Sequence, residues 1–156
     1  NLLIARHNRL NTGYLSGILH SRAYRASERA AKERAATWLD TFDLRAFANH
    51  EAGSLAYGQQ RRLEIARCMM TEPRVLILDE PAAGLNPQET AALVTLIETL
   101  RDRHGISVLL IEHDMSLIMR VSEHIMVMEY GRPIAYGTPD DIRNNPEVVR
   151  AYLGES

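Results

Sequence analysis

Val75-Leu76-Ile77-Leu78-Asp79-Glu80-Pro81 is the stretch on which the reading of the fold turns. Four apolar residues without alternation predict a central strand buried on both faces of a sheet. Two carboxylates follow at once. Open α/β sheets bind ligands at the carboxyl ends of their strands, so Asp79 and Glu80 stand where chemistry is done. Adjacent residues point differently, which lets the two acids do different work. Asp79 can orient Mg2+, a hard ion that keeps a shell of oxygen and water. Glu80 can polarise a water for attack on a phosphate. Two acids solvated at a strand end are the alternative that this stretch alone leaves open.

Downstream, the pattern alternates helix and strand. Asn86 reads as an N-cap, Pro87 as the first helical residue and Glu89 as the third residue after the cap, together a capping box. Leu93, Leu96, Ile97 and Leu100 fall on one face of the helix that follows, and Gly105 closes it. Ile106 to Ile111 is a second buried strand, so residues 75–111 form a strand–helix–strand crossover, which makes strands parallel. Asp114 caps a short helix through Val121. Ile125 to Met128 is a third strand, and Tyr130-Gly131 turns into Pro133-Ile134-Ala135. Thr138, Pro139 and Asp141 repeat the cap chemistry, and Pro146 starts another helical stretch.

Upstream, Tyr57 to Met70 reads as a helix ended by Pro73. Residues 1–53 are rich in Ala and Arg and hold no strand-like run. Ala31, Ala35, Trp38, Leu39 and Phe42 recur at helical steps between Arg29 and Leu44, as in an amphipathic helix packing one face. The fold class is α/β with a helical N-terminal appendage.

Bulk properties narrow the function. The 156 residues carry 18 basic and 20 acidic side chains, interleaved, for a formal net charge of -2. No basic field argues for nucleic acid. Hydrophobic residues make up 46%, yet no apolar run approaches the roughly 18 residues that span a bilayer, and a soluble chain is expected. The single cysteine, Cys68, suits a reducing cytosol and is expected to be a buried packing residue. Asn1-Leu2-Leu3-Ile4-Ala5-Arg6 has no initiator Met, basic head or cleavage site. It reads as a chain entered partway.

The second chemistry-bearing segment is Ser54-Leu55-Ala56-Tyr57-Gly58-Gln59-Gln60-Arg61-Arg62-Leu63-Glu64-Ile65-Ala66-Arg67. A small-residue turn running into a helix leaves backbone N–H groups and the positive helix end for an anion. Gly58 lets a phosphate approach the backbone closely.

At this point a resemblance emerges. Residues 54–67 resemble the signature motif of ABC ATPases, and 75–81 their Walker B strand at the usual distance. Ala83-Gly84-Leu85-Asn86 resembles the D-loop, and His113, after the strand Val108–Ile111, the switch histidine. Residues 1–53 look like the helical subdomain, 54–137 like the signature helix and C-terminal part of a RecA-like P-loop NTPase core with a mainly parallel sheet, and 138–156 like a C-terminal helical extension. Ala56 to Arg67, Ala82-Ala83-Gly84-Leu85-Asn86-Pro87, Ile111-Glu112-His113-Asp114-Met115 and Arg150-Ala151-Tyr152-Leu153-Gly154 are similar to the ATPase subunits of branched-chain amino-acid importers.

The resemblance implies a head-to-tail pair of ATPase subunits with ATP sandwiched at two sites, acting on transmembrane permease subunits at the cytoplasmic face of the bacterial inner membrane. Asp79 would hold Mg2+, Glu80 would polarise the water and His113 would contact the γ-phosphate. Ala56, Tyr57, Gly58 and Gln59 would close on the partner's ATP, with Asn86 beside them. Arg62, which matches a family arginine, is expected to brace the signature helix. Closure would pull on the permease through a groove around residues 1–53.

Three departures stand out. Ala56 occupies the position of the usual signature serine, and Asn86 that of the usual D-loop aspartate. The only lysine, Lys32, lies in an Ala-rich stretch, and Gly13 to Gly17 is no phosphate loop, which needs glycines with a Lys and a Ser or Thr. The resemblance therefore implies that the Walker A loop, the nucleotide-stacking aromatic and the glutamine loop lie before residue 1. The chain alone is expected not to hydrolyse ATP. Two other readings remain: a non-hydrolysing interaction fragment, and an ABC-type ATPase of another transport or DNA-repair system. DNA-repair members carry a long coiled coil, and residues 1–53 show no sustained heptads.

Overall fold

The computed structural model of the chain describes residues 1–5 and 22–153; Gly13 to Gly17 and Gly154, weighed above, lie outside the described residues. The Ala-rich pattern forms helix α2 (Arg22–Thr41), with a short helix α1 (Leu2–Ala5) before it. Ala31 and Ala35 are buried, and Phe42 is buried just past the helix end. Asp43 takes φ 55° there. The Leu44 N–H then reaches back to the Leu39 carbonyl at 2.7 Å, the closure a left-handed residue makes after a helix. Two 3-10 turns, Arg45–Phe47 and Ala52–Ser54, carry the chain to α3 (Tyr57–Met69). The expected bracing role of Arg62 is borne out: its Nη1 donates to the Phe42 carbonyl at 3.3 Å and lies 3.9 Å from Asp43.

The crossover is present. β1 (Val75–Asp79) pairs in parallel with β2 (Ser107–Ile111), Val75 opposite Ser107 and Asp79 opposite Ile111, and α4 (Pro87–Asp102) connects them. α4 begins as its sequence predicts. The Asn86 side chain accepts from Gln88 N and Glu89 N, both at 3.0 Å, and Glu89 accepts from Asn86 N at 3.0 Å. Gly105, at φ 64°, closes the far end through a bond from its N–H to the Arg101 carbonyl. Leu93, Leu96, Ile97 and Leu100 are buried in one cluster with Leu76, Leu78, Ile65, Met69 and Phe42.

The strands differ from expectation. Both were expected to be buried on two faces, yet burial alternates along β1. Leu76 and Leu78 are buried, while Val75, Ile77, Leu109 and Ile111 are 50–63% exposed. In-register parallel pairing puts those four on one face, and the described residues supply a layer only for the other. Cys68 is likewise exposed, not buried. On α3 it sits between the buried pairs Ile65–Ala66 and Met69–Met70, and its position turns away from the core.

The third predicted strand does not join this pair among the described residues. β3 (Ile125–Glu129) forms an antiparallel hairpin with β4 (Arg132–Gly137). Tyr130 at φ 47° and Gly131 at φ 76° make its two-residue turn, the left-handed pair that matches strand twist. A register shift at Val127/Met128 absorbs one residue opposite Pro133 and Ala135, a bulge beside a proline that cannot donate to a ladder. Helices α5 (Met115–Val121), α6 (Pro139–Arg143) and α7 (Pro146–Val148) begin at Asp114, Thr138 and Asn145 caps, and Ile142 and Val148 pack on Ile125 and Val127. The fold class is the α/β one predicted, with parallel pairing confined to β1 and β2 among the described residues.

The Asn86 cap generates the first prediction. Replacing Asn86 by Ala removes both acceptor bonds and should lower stability by about 1 kcal/mol. Urea unfolding should show a lower midpoint with an unchanged m-value.

Candidate functional site

Because β1 and β2 end at the same edge, the loops that leave them lie side by side. The ladder continues one residue past β1, where Glu80 N–H donates to the Ile111 carbonyl at 2.9 Å. Glu80 itself takes φ 43°. A non-glycine residue there costs on the order of 1–3 kcal/mol and persists only where neighbours over-determine it. They do. Ala83 N–H donates to the Glu80 carbonyl at 3.1 Å, and Ala82 N–H to Glu112 Oε1 at 2.9 Å.

The turn aims the Glu80 carboxylate toward β2's loop. His113 Nδ1 lies 3.6 Å from Glu80 Oε1 and 3.9 Å from Glu112 Oε2. Glu80 and His113 are both exposed, so their approach gives little stability and leaves both open to a bound group. Asp79 is exposed on the outer strand face beside Ile77. Asp114, next to His113, turns to α5, and the Ser116 hydroxyl first, then the N–H groups of Leu117 and Ser116, hold its carboxyl below the usual range. It is a cap. The described residues contain no group of three or more His, Cys, Asp or Glu set to hold a metal ion. A single hard carboxylate such as Asp79 nevertheless fits Mg2+, which keeps waters and is bound by one or two carboxylates plus substrate phosphates.

The glycine-containing turn is built from a second set of contacts. Ala56 is extended and α3 starts after it, with the Gln59 side chain accepting the Ala56 N–H at 3.1 Å. An alanine methyl accepts no hydrogen bond, so Gln59 alone caps in reverse and the first helical N–H groups, Tyr57 and Gly58, have no intrahelical partner. Gly58 backs onto Glu89: a Cβ there would meet Glu89 Oε1 at 2.5 Å. The Tyr57 hydroxyl donates to the Ala83 carbonyl at 3.3 Å, and its ring covers Gly84, whose φ is 77°. Arg61 lies over that ring at 5.5 Å, and its pKa is raised, chiefly by the bond it donates to Glu64 at 3.1 Å. Asn86 spends its side-chain oxygen on the α4 cap.

The sequence-predicted residues thus fall into two groups. Asp79, Glu80 and His113 gather at the strand edge. Ala56, Tyr57, Gly58, Gln59 and Asn86 gather where α3 and α4 begin. Sequence reasoning missed Glu112, whose side chain is 2% exposed, and the Glu89 carboxylate behind Gly58. Glu112 had a signal: like Glu80, it follows an apolar strand beside a residue marked for chemistry.

Comparison with known proteins finds similarity along the chain. A family model described as ABC transporter matches residues 4–83, and one described as branched-chain amino acid ATP-binding cassette transporter matches residues 132–156. The high-affinity branched-chain amino acid transport ATP-binding protein BraF of Pseudomonas aeruginosa is 61% identical over 100% of this chain, and LivG of Escherichia coli K12, similarly named, is 56% identical. The chain spans 61% of the length of each. Among solved structures, an ATP-binding cassette of an ABC transporter in its ADP conformation superposes with a TM-score of 0.76 at 28% identity, covering 99% of this chain and 61% of that one. A nucleotide-free cassette gives 0.75 at 27%, covering 99% and 62%.

The Gly58–Glu89 contact is testable by a double-mutant cycle. Gly58→Ala should push Glu89 off Asn86 and lower stability by roughly 1 kcal/mol. In a Glu89→Ala background the same change should cost almost nothing, and urea unfolding of the four proteins measures the coupling.

Proposed function

The chain belongs to the ABC transporter family, and from that premise we propose that it carries the hydrolytic strand edge and the signature segment of an ATP-binding subunit of a branched-chain amino-acid importer. The observation that supports this most is the approach of Glu80 to His113, at 3.6 Å, beyond the ends of two parallel strands. An acid one residue past Asp79 and an imidazole facing it are the two groups an in-line attack by water needs: one to polarise the nucleophile, one to meet the developing phosphate charge. Asp79 would hold Mg2+, which neutralises phosphate charge when bound.

Residues 56–59 are proposed to meet the γ-phosphate of ATP held by a second subunit in a head-to-tail pair, through the Tyr57 and Gly58 N–H groups and the positive end of α3. Ala56 offers no hydroxyl, so backbone carries the contact. Asn86 would lie at the same junction through its backbone and amide nitrogen, since its oxygen caps α4. The division into a helical part (1–53), the signature helix with the core (54–137) and a C-terminal extension (138–156) is part of this reading. So are permease subunits as partners and a peripheral place on the cytoplasmic face of the inner membrane. The solute is inferred from BraF and LivG, named for branched-chain amino acid transport. Among the described residues no helix is long and apolar enough to cross a membrane. With Lys32 its only lysine, this chain contains no phosphate-cradling loop of its own, and by itself it is proposed not to turn over ATP.

In a full-length subunit containing this chain, Glu80→Gln should keep Mg-ATP binding and lower turnover by about 10²–10⁴-fold. Unchanged turnover at saturating ATP would remove Glu80 from the mechanism. In the same Glu80→Gln background, Gly58→Asp should weaken ATP-driven pairing in sedimentation, because its side chain would run into the Glu89 carboxylate, displace the start of α3 and add negative charge beside the proposed phosphate site. Pairing as strong as the parent's would show that residues 56–59 do not meet nucleotide.

A further inference from the structure

We propose that Glu112 is a positioning residue that sets the spacing of Glu80 and His113 by tying the loop after β1 to the loop after β2. The proposal rests on the hydrolytic reading of Glu80 and His113 given above. Glu112 follows β2 directly. Its backbone faces solvent, but its side chain turns inward and is 2% exposed. A carboxylate so covered must be matched by donors, and it is matched by backbone from both loops. Oε1 accepts Ala82 N–H at 2.9 Å, and Oε2 accepts the N–H of His113 at 3.3 Å.

These bonds complete a frame around Glu80. Its N–H is fixed to Ile111 on one side, and its carbonyl is fixed by Ala83 N–H on the other. Glu112 holds Ala82, which lies inside the turn that the Ala83 N–H closes on the Glu80 carbonyl. The left-handed φ of 43° at Glu80 is thereby pinned from three directions. The same carboxylate fixes the backbone of His113, so one side chain sets both ends of the 3.6 Å approach.

The residue type follows from the chemistry. Two N–H donors in different loops need two acceptors on one rigid group, and an ionised carboxylate offers two oxygens and no donor. An amide keeps the shape but offers one acceptor, so its NH2 would face one of the two N–H groups. An aspartate keeps the charge but is one methylene short of Ala82.

The test has two readouts. In this chain, Ala82 and His113 amides should exchange hydrogen slowly, and Glu112→Ala should speed both at least tenfold while Glu112→Gln speeds one. In a full-length subunit, Glu112→Ala and Glu112→Asp should lower kcat at least tenfold with the Kd for Mg-ATP within threefold. Glu112→Gln should recover part of the loss. Should Glu112→Ala fail to fold, the Gln and Asp variants decide. Unchanged exchange at Ala82 would overturn the tie. Faster exchange with kcat within twofold of the parent would overturn the positioning role while leaving the roles of Glu80 and His113 intact. A parallel fall in Kd affinity and kcat would also overturn it, since it points to general damage. A Glu80→Gln control that retains full turnover would overturn the reading beneath the proposal, and the proposal with it.

Discussion

In-register parallel pairing of β1 with β2 sets the terms for everything at the candidate site. Parallel strands leave a sheet at one edge, so Glu80 and His113 become neighbours although 33 positions separate them in the chain. The pairing in turn depends on α4, because parallel strands need a crossover. α4 starts where Asn86 and Glu89 satisfy the helix end and stops where Gly105 permits φ 64°. Its buried face of Leu93, Leu96, Ile97 and Leu100 presses on Leu76 and Leu78. Each fully buried side chain of that kind contributes about 1.5–3 kcal/mol relative to exposure, so the edge that carries the acids is held by the best-packed part of the chain.

The α4 start has a second consequence. Glu89 caps Asn86 with one oxygen and backs Gly58 with the other. Tyr57 meanwhile donates to Ala83 and covers Gly84. The glycine-containing turn and the loop from Ala83 to Asn86 are therefore in direct contact. Ala82 directly precedes that loop, which runs back to Glu80, so the two groups of candidate residues share one short stretch of backbone. From Gly58 the Glu89 carboxylate leads to the Asn86 N–H, and from Asn86 seven residues of backbone, both ends counted, lead to Glu80.

How much of this was legible depended on whether the cause was local. The α4 cap could be read because Asn86, Pro87 and Glu89 satisfy the helix end among themselves. Gly105, Asp114 and Thr138 were legible for the same reason. The hairpin turn at Tyr130-Gly131 was legible as a turn, but its strands' separation from β1 and β2 was not, since pairing partners are set by tertiary packing. Cys68 was misjudged because burial on α3 follows the direction of the core, which an isolated apolar spacing does not give. Glu112 escaped notice because its role is a contact with a residue 30 positions away. Glu80 and His113 were marked from sequence; that they meet is visible only in the fold.

The misjudged strand faces bear most on the chemistry. Val75, Ile77, Leu109 and Ile111 form an apolar surface that ends at Asp79, and such a patch on a sheet argues for a further layer. A layer there would place Asp79 at its rim and remove water from one side of the carboxylate. Charge interactions strengthen several-fold as the effective dielectric falls from that of water toward about 20. A lone exposed acid is a weak ligand for a hydrated cation; the same acid at the margin of an apolar layer, with phosphate oxygens beside it, is a strong one. The strand edge brings Glu80 and His113 together, and the apolar surface that ends at Asp79 is the face for which the described residues provide no cover.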